Sequence, residues 1–294
     1  MWWLRVILVV VVVLLLPFPC RASTKHACPP SSCGKISNIS YPFRLKNDPK
    51  HCGDNRYELS CENNVTTILY LYSSKYHVQS INYNNFTIRL VDPGIQQSNC
   101  SSLPFYSLSR SDFCDTYTNK NNIYDDDNNN NNNNCADPYQ VSSSGEREHI
   151  DEVMDSNGLL FEHIVYLNCS HQVTNNHKYV DTVPCINQNS KGYYIYAIAG
   201  DLIARDFQVG CHIELVAPTS WFRGLKRKQI SYDVIHKALV YGFEISWMNV
   251  PCKNLCGDSL SCFFNSSHQL QCDGLCHTFT GAWTTDSCGK VYYI

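Results

Sequence analysis

Seventeen cysteines in 294 residues constrain what this chain can fold into more than any other feature. The first of them belongs to a leader. After the lone early charge of Arg5 comes an apolar run from Val6 to Leu16, followed by Pro17, Phe18, Pro19, Cys20, Arg21 and Ala22, with small residues (Cys20 and Ala22) placed for a cut after Ala22. The run is too short to span a bilayer, which takes about 20 apolar residues. Once the leader is removed, an even set remains: Cys28, Cys33, Cys52, Cys61, Cys100, Cys114, Cys135, Cys169, Cys185, Cys211, Cys252, Cys256, Cys262, Cys272, Cys276 and Cys288. Parity favours full pairing. Such a density is rare in a reducing cytosol, whereas an oxidising secretory route turns thiols into cross-links that restrict the unfolded chain. Spacing alone leaves the connectivity open.

The same compartment follows from six N-x-S/T sequons, at Asn38, Asn64, Asn85, Asn99, Asn168 and Asn265, which predict heavy N-glycosylation. Charge narrows the partners. The chain is near neutral at −3, and losing Arg5 and Arg21 takes it to −5, which gives no field for a nucleic acid. The charge is unevenly spread. Residues 28–92 hold seven Lys/Arg against five Asp/Glu, and residues 93–159 three against eleven. The first segment is mildly basic and suits an acidic polymer, within the limits of salt screening.

The predicted fold class is mainly β: a disulfide-rich ectodomain of two small β-rich units and a short C-terminal cysteine-rich knot. Residues 23–110 form the first unit. Four runs there (Arg56 to Cys61, Thr67 to Tyr72, Tyr76 to Ile81, Phe86 to Val91) are rich in Tyr, Ile, Val and Thr and are separated by polar punctuation, the pattern of a strand meander. Residues 111–158 read as an acidic, Asn-rich linker around Asp125-Asp126-Asp127 and the asparagine run after it, with nothing to bury. Residues 159–250 form a second unit with short strands near Leu159, Ile164, Tyr193 and Cys211. It also contains one short helix, because Ile235, Leu239 and Phe243 are spaced by four with Gly242 at the end. Residues 251–294 are too short to build much core, so bridges must hold them.

No catalytic constellation survives scrutiny. Gly257-Asp258-Ser259-Leu260 spells an esterase nucleophile block, but it lies between Cys256 and Cys262, and Asp273 and His277 are not spaced as an acid and base for it. The Cys252-x3-Cys256 and Cys272-x3-Cys276-His277 spacings resemble zinc ligands loosely, and a secretory chain favours disulfides over a metal there. The acidic run lacks EF-hand spacing for calcium. No metal and no cofactor are predicted.

Binding remains. Nineteen tyrosines supply aromatic faces that pack on sugar C–H surfaces, and arginine forks suit carboxylates. In the first unit the candidates for holding a ligand are Tyr41, Phe43, Arg44, Lys46, Tyr57 and Arg89. A basic cluster, Arg223, Lys226, Arg227 and Lys228, follows Trp221-Phe222 and reads more simply as a solvated loop.

Several motifs carry a family resemblance. Cys28-Pro-Pro-Ser-Ser-Cys33-Gly34, the stretch Ile36 to Leu45, His51-Cys52-Gly53-Asp54, Tyr57 to Asn63, Tyr76 to Tyr83 and Thr87 to Gly94 resemble the galacturonan-binding domain of plant wall-associated receptor kinases. Tyr179 to Cys185, Gly200-Asp201-Leu202, Ser220-Trp221 and Tyr241 to Trp247 resemble the ectodomain of the leaf-rust-resistance type of receptor-like kinase. The resemblance implies a non-enzymatic module, in the apoplast or cell wall, whose partner is an acidic cell-wall polysaccharide. In the family such a module is joined by one membrane helix to a cytoplasmic kinase. Only six residues follow Cys288, where that helix would begin, so the expectation is either a secreted, kinase-less form or the ectodomain of a longer receptor at the plasma membrane. The competing expectation is a protein-interaction module for a peptide or co-receptor.

Overall fold

A computed structural model describes residues 28–113, 138–141, 160–183, 185–186, 192–200, 202–220, 230–257, 261–265, 267, 269–273, 276–277 and 283–284. The leader, the aspartate and asparagine runs, the Arg223–Lys228 cluster, Ser259, Cys114, Cys135 and Cys288 lie outside the described residues.

The N-terminal part begins with a small hairpin, β1 (Ser31–Cys33) and β2 (Ile36–Ile39), and continues through β3 (Arg44–Leu45), β4 (Glu58–Glu62), β5 (Thr66–Leu71), β6 (Ser74–Asn82) and β7 (Thr87–Val91). The four predicted runs are β4 to β7, joined as antiparallel neighbours. Their turns have local causes. Between β4 and β5, Val65 N–H donates to Glu62 O (3.0 Å), while Asn63 and Asn64 adopt φ of +53° and +58°. That is a type I′ turn, and asparagine tolerates the left-handed region it requires.

The second sheet contains β8 (Glu162–Cys169), β9 (Val180–Asp181), β10 (Tyr194–Ala199) and β11 (Cys211–Thr219), in the order β11-β8-β10-β9. Alternation along β8 gives each face its own core. Ile164 and Tyr166 face helix α1 (Tyr232–Tyr241) through its Tyr232, Ile235, Ala238 and Leu239. Val165, Leu167 and Cys169 pack on the opposite side with Tyr179, Tyr196 and Ile198. The helix ends at Tyr241, two residues short of Phe243, because Gly242 takes φ +87° and sits so close to β7 that a Cβ there would lie 2.0 Å from Leu90 O.

Phe243 therefore leaves the helical pattern and starts β12 (Phe243–Ser246), which pairs antiparallel with β7, Phe243 opposite Leu90 and Ser246 opposite Thr87. The six-stranded sheet thus runs β12-β7-β6-β5-β4-β3, and its edge is completed by a strand from within the span read as the second unit. Its core is equally composite: Phe43, Tyr57, Leu69, Tyr76 and Leu90 pack with Leu108, Phe113, Phe161, Phe243, Ile245, Trp247 and Val250. Tyr139 and Val141, from the stretch read as linker, are 1% and 3% exposed in that core, so the linker reading does not hold at these two residues. The bridge from Tyr57 hydroxyl to Pro138 O (2.7 Å) and the Gln140–Ser246 backbone pair hold them there.

Helix α2 (Asn249–Cys256) leads to the hairpin β13 (Ser261–Phe264) and β14 (Leu270–Asp273), and then to the short pair β15 (Cys276–His277) and β16 (Trp283–Thr284). The described bridges are Cys28–Cys52, Cys33–Cys61, Cys100–Cys185, Cys169–Cys211, Cys252–Cys262 and Cys256–Cys272. The sulfurs behind the loose zinc spacing at Cys252, Cys256 and Cys272 are thus held in disulfides. Among the described residues no helix is long and apolar enough to cross a membrane.

Candidate functional site: an aromatic cleft

An open cleft of about 210 Å³ forms where three segments meet. Tyr41 and Pro42 come from the loop between β2 and β3. Tyr83 and Phe86 come from the β6–β7 turn. Trp247, Val250, Pro251 and Asn254 come from the end of β12 and from α2. A second cavity, between Tyr76, Asp92, Pro104 and Phe243, holds about 10 Å³, room for one water at most.

Trp247 organises the cleft. It is 3% exposed, and Phe86, Tyr83 and Phe43 meet it edge to face with centroids 5.0, 5.4 and 5.4 Å away. Such contacts fix ring orientation beyond simple burial. Tyr83 is locked by its hydroxyl, which accepts from Ser40 N–H (2.9 Å) and donates to Ser40 O (3.0 Å). Phe86 adopts φ +54°, a costly conformation for a side chain of its size. Its carbonyl accepts from Trp247 N–H (2.8 Å), and its ring stacks on Phe264 with centroids 5.8 Å apart, so the surroundings hold the strained residue. Tyr41 is the open face, 53% exposed.

Charge lies beside Tyr41. Asp54 N–H donates to Pro42 O (2.9 Å), which seats the turn Asp54-Asn55-Arg56 against the cleft wall. Asp54 in turn pairs with Arg56, Nη2 to Oδ2 at 2.7 Å. The hydrogen bond from Arg56 holds the Asp54 carboxyl below the usual carboxylate range, with a smaller contribution from the Lys253 charge. The same bond, with the charge of the Asp54 carboxylate, raises Arg56. Arg56, Asp54 and the exposed Lys253 thus form a small cluster of two cations and one anion that adjoins the Pro42 wall of the slot without lining it.

Of the six residues picked from the sequence, the cleft contains one, Tyr41. Phe43 (1% exposed) and Tyr57 (0%) are core residues that cannot touch a ligand. They brace the site from behind, Tyr57 against Phe43 at 5.6 Å and Phe43 against Trp247. Arg44 is buried too, with its guanidinium committed to the Glu58 carboxylate, Asn55 Oδ1 (2.9 Å) and Leu45 O (3.3 Å). Its Nε is buried without a partner among the described residues, so with the side chain 4% exposed and both terminal nitrogens engaged, no fork is presented to a sugar carboxylate. Arg89 donates to Tyr241 O (3.0 Å) and lies 4.6 Å over the Tyr241 ring, so it ties β7 to the end of α1. Lys46 is exposed but does not line the cleft. Tyr83, Phe86, Arg56, Trp247 and Lys253 were not among the six. The sequence signal for the first two was the hairpin punctuation itself, whereas nothing local marks Trp247 or Lys253 as neighbours of Tyr41.

The scaffold under Tyr41, Tyr83 and Phe86 has known counterparts. Residues 28–92 match the family described as wall-associated receptor kinase galacturonan-binding. That domain is a binding module, and β1 to β7 are its strands here. Two curated relatives from Arabidopsis thaliana are similar over part of the chain. Leaf rust 10 disease-resistance locus receptor-like protein kinase-like 1.4 is 30% identical over 83 residues, 28% of this chain and 12% of the relative. Leaf rust 10 disease-resistance locus receptor-like protein kinase-like 2.8 is 36% identical over 73 residues, 25% of this chain and 8% of the relative. Together these matches support an ectodomain of the wall-associated kinase type. No solved structure gives a significant match.

Proposed function

We propose that this chain is a non-enzymatic, extracellular binding ectodomain that holds an acidic cell-wall polysaccharide, galacturonan, in the aromatic cleft. The observation that carries the reading is an open slot walled by Tyr41, Tyr83, Phe86 and Trp247, with the paired Asp54 and Arg56 bonded to its Pro42 wall and Lys253 near enough to act on Asp54, a cluster of net charge +1. Aromatic faces take the C–H surface of a pyranose ring while cations take its carboxylate. The volume lies below the about 300–1,000 Å³ of pockets that enclose a small molecule. It therefore suits a segment of a longer polymer lying across the surface, and the family match of residues 28–92 points to the same ligand class.

Calorimetric titration of residues 23–294 with de-esterified and fully methyl-esterified oligogalacturonides tests this. Expected are salt-sensitive binding of the de-esterified form and a severalfold loss on Tyr41→Ala with no change in thermal midpoint. Equal binding of both forms, or none, would overturn it. A second reading, docking of a protein or co-receptor, draws on Phe207, Val209 and Ile213, which are 40%, 89% and 47% exposed before and within β11. A pull-down that recovers a partner which pectin does not displace would favour it.

A further inference from the structure

Three of the six sequons lie on segments that line or brace the aromatic cleft. Asn82 of β6 pairs with Thr87 of β7, so the turn between them is Tyr83 to Phe86. Its first and last residues line the cleft, so the exposed Asn85 belongs to the four-residue turn that carries two of the lining rings. The turn is fixed, because Asn82 Oδ1 accepts from the backbone N–H of both Asn84 (2.9 Å) and Asn85 (3.1 Å). Asn265 directly follows Phe264, whose ring stacks on Phe86. Asn38 lies two residues before Ser40, whose N–H and carbonyl are both bonded to the Tyr83 hydroxyl.

The geometry points to a glycan collar: an N-linked glycan on Asn85, flanked by those on Asn38 and Asn265, stands at the cleft mouth and restricts entry to slender, linear ligands. In the transfer, Asn85 Nδ2 bonds to C1 of a lipid-linked oligosaccharide and loses one proton, and the lipid diphosphate leaves with the electrons of the broken C1–O bond. Thr87, the third residue of the sequon, is buried in β7, so the transfer precedes closure of the hairpin. A hydrated, branched glycan acts by excluded volume. A single polysaccharide strand passes between its antennae, and a folded protein face does not. The ligand side of this inference rests on the cleft binding galacturonan; the collar itself does not.

The test uses the protein secreted from plant cells, intact and after enzymatic removal of N-glycans under native conditions, with Asn85→Gln and, as a control in the other sheet, Asn168→Gln. Glycopeptide mass spectrometry should find Asn85 occupied. Acetylation of tyrosine by N-acetylimidazole should then speed up severalfold at Tyr41 after glycan removal and in Asn85→Gln. Tyr70 and Tyr72, exposed and near the opposite end of β6, should keep their rates, and Asn168→Gln should match the intact protein. An unoccupied Asn85, or a Tyr41 rate unmoved by deglycosylation, overturns the collar. Should Asn85→Gln fail to fold, the enzymatically deglycosylated protein still gives the reading. A faster Tyr41 rate with no oligogalacturonide binding to either form supports the collar and overturns the ligand assignment instead.

Discussion

The six-stranded sheet and the α2–hairpin segment that closes the cleft bring their walls together by different means. The sheet gathers Phe43, Tyr57, Tyr76, Phe161, Phe243 and Trp247 into one aromatic core, and its bridges, Cys28–Cys52 and Cys33–Cys61, tie down the N-terminal rim. From Asn249 to Cys272 only Val250 and Cys262 are buried among the described residues, yet Cys252–Cys262 and Cys256–Cys272 both fall there. Where apolar area suffices, packing fixes geometry, and where it does not, covalent links take over. One wall of the cleft therefore rests on hydrophobic burial and the facing wall on sulfur.

The strongest way to break that contrast is Trp247→Ala, which empties the junction of the two walls. A loss of about 3–5 kcal/mol in chemical denaturation is expected for an aromatic of this burial. Trp247→Phe should cost far less, because the indole N–H has no acceptor among the described residues. A Trp247→Ala loss under about 1 kcal/mol would remove the sheet's claim to be core-held. Next in size is the double change Cys252→Ser with Cys262→Ser. The short loop is worth roughly 2–3 kcal/mol by chain entropy, and the effect should stay local. Hydrogen exchange should accelerate in β13 and β14 while the denaturation midpoint of the sheet hardly moves. A global drop matching that of Trp247→Ala would mean the two regions are one cooperative unit.

Smaller still, and confined to binding, are Arg56→Gln and Lys253→Gln. Both sites are exposed, so stability should stay within about 0.5 kcal/mol, while oligogalacturonide affinity falls and its dependence on salt flattens. The least effect separates the second sheet from the first. His236 of α1 is 4% exposed with Nε2 3.1 Å from Ser102 Oγ, and burial holds its imidazole below the usual range, opposed in part by a hydrogen bond to the Asn99 backbone and then by the Asp233 carboxylate. The unfolded chain takes up that proton near pH 6.5 and the folded chain only at lower pH, so stability falls as pH drops below about 6.5. His236→Gln should flatten this slope in thermal melts between pH 7 and 5.

Periodicity carried most of the secondary structure. The runs read as strands around Leu59, Leu69, Val78, Leu90, Val165 and Ala197 are strands, because a half-buried sheet enforces alternation that the sequence must display. The pairing of β12 with β7 was not legible, since a short apolar run at Phe243 continues a helical spacing as well as it begins a strand. Nor could the pattern tell Tyr41 from Phe43: the sequence reads both as one extended piece, whereas Tyr41 and Pro42 form a turn and Tyr57, Tyr83 and Trp247 cover Phe43. Arg44 and Arg89 read as ligand forks because the sequence shows a cation without showing Glu58 or the Tyr241 ring that engages it. The disulfide partners were hidden for the same reason, being set by tertiary distance.

The late arrival of β12 has a consequence for how the protein is made. A ribosome releases β7 well before Phe243 to Ser246 emerge, and through that interval the outer backbone donors and acceptors of Thr87 to Val91 face only solvent. An unpaired edge of this kind is a template for wrong pairing between nascent chains. A fragment cut at residue 92, the limit of the family match, would keep that hazard permanently, so recombinant pieces meant to be handled alone should carry the segment through Trp247.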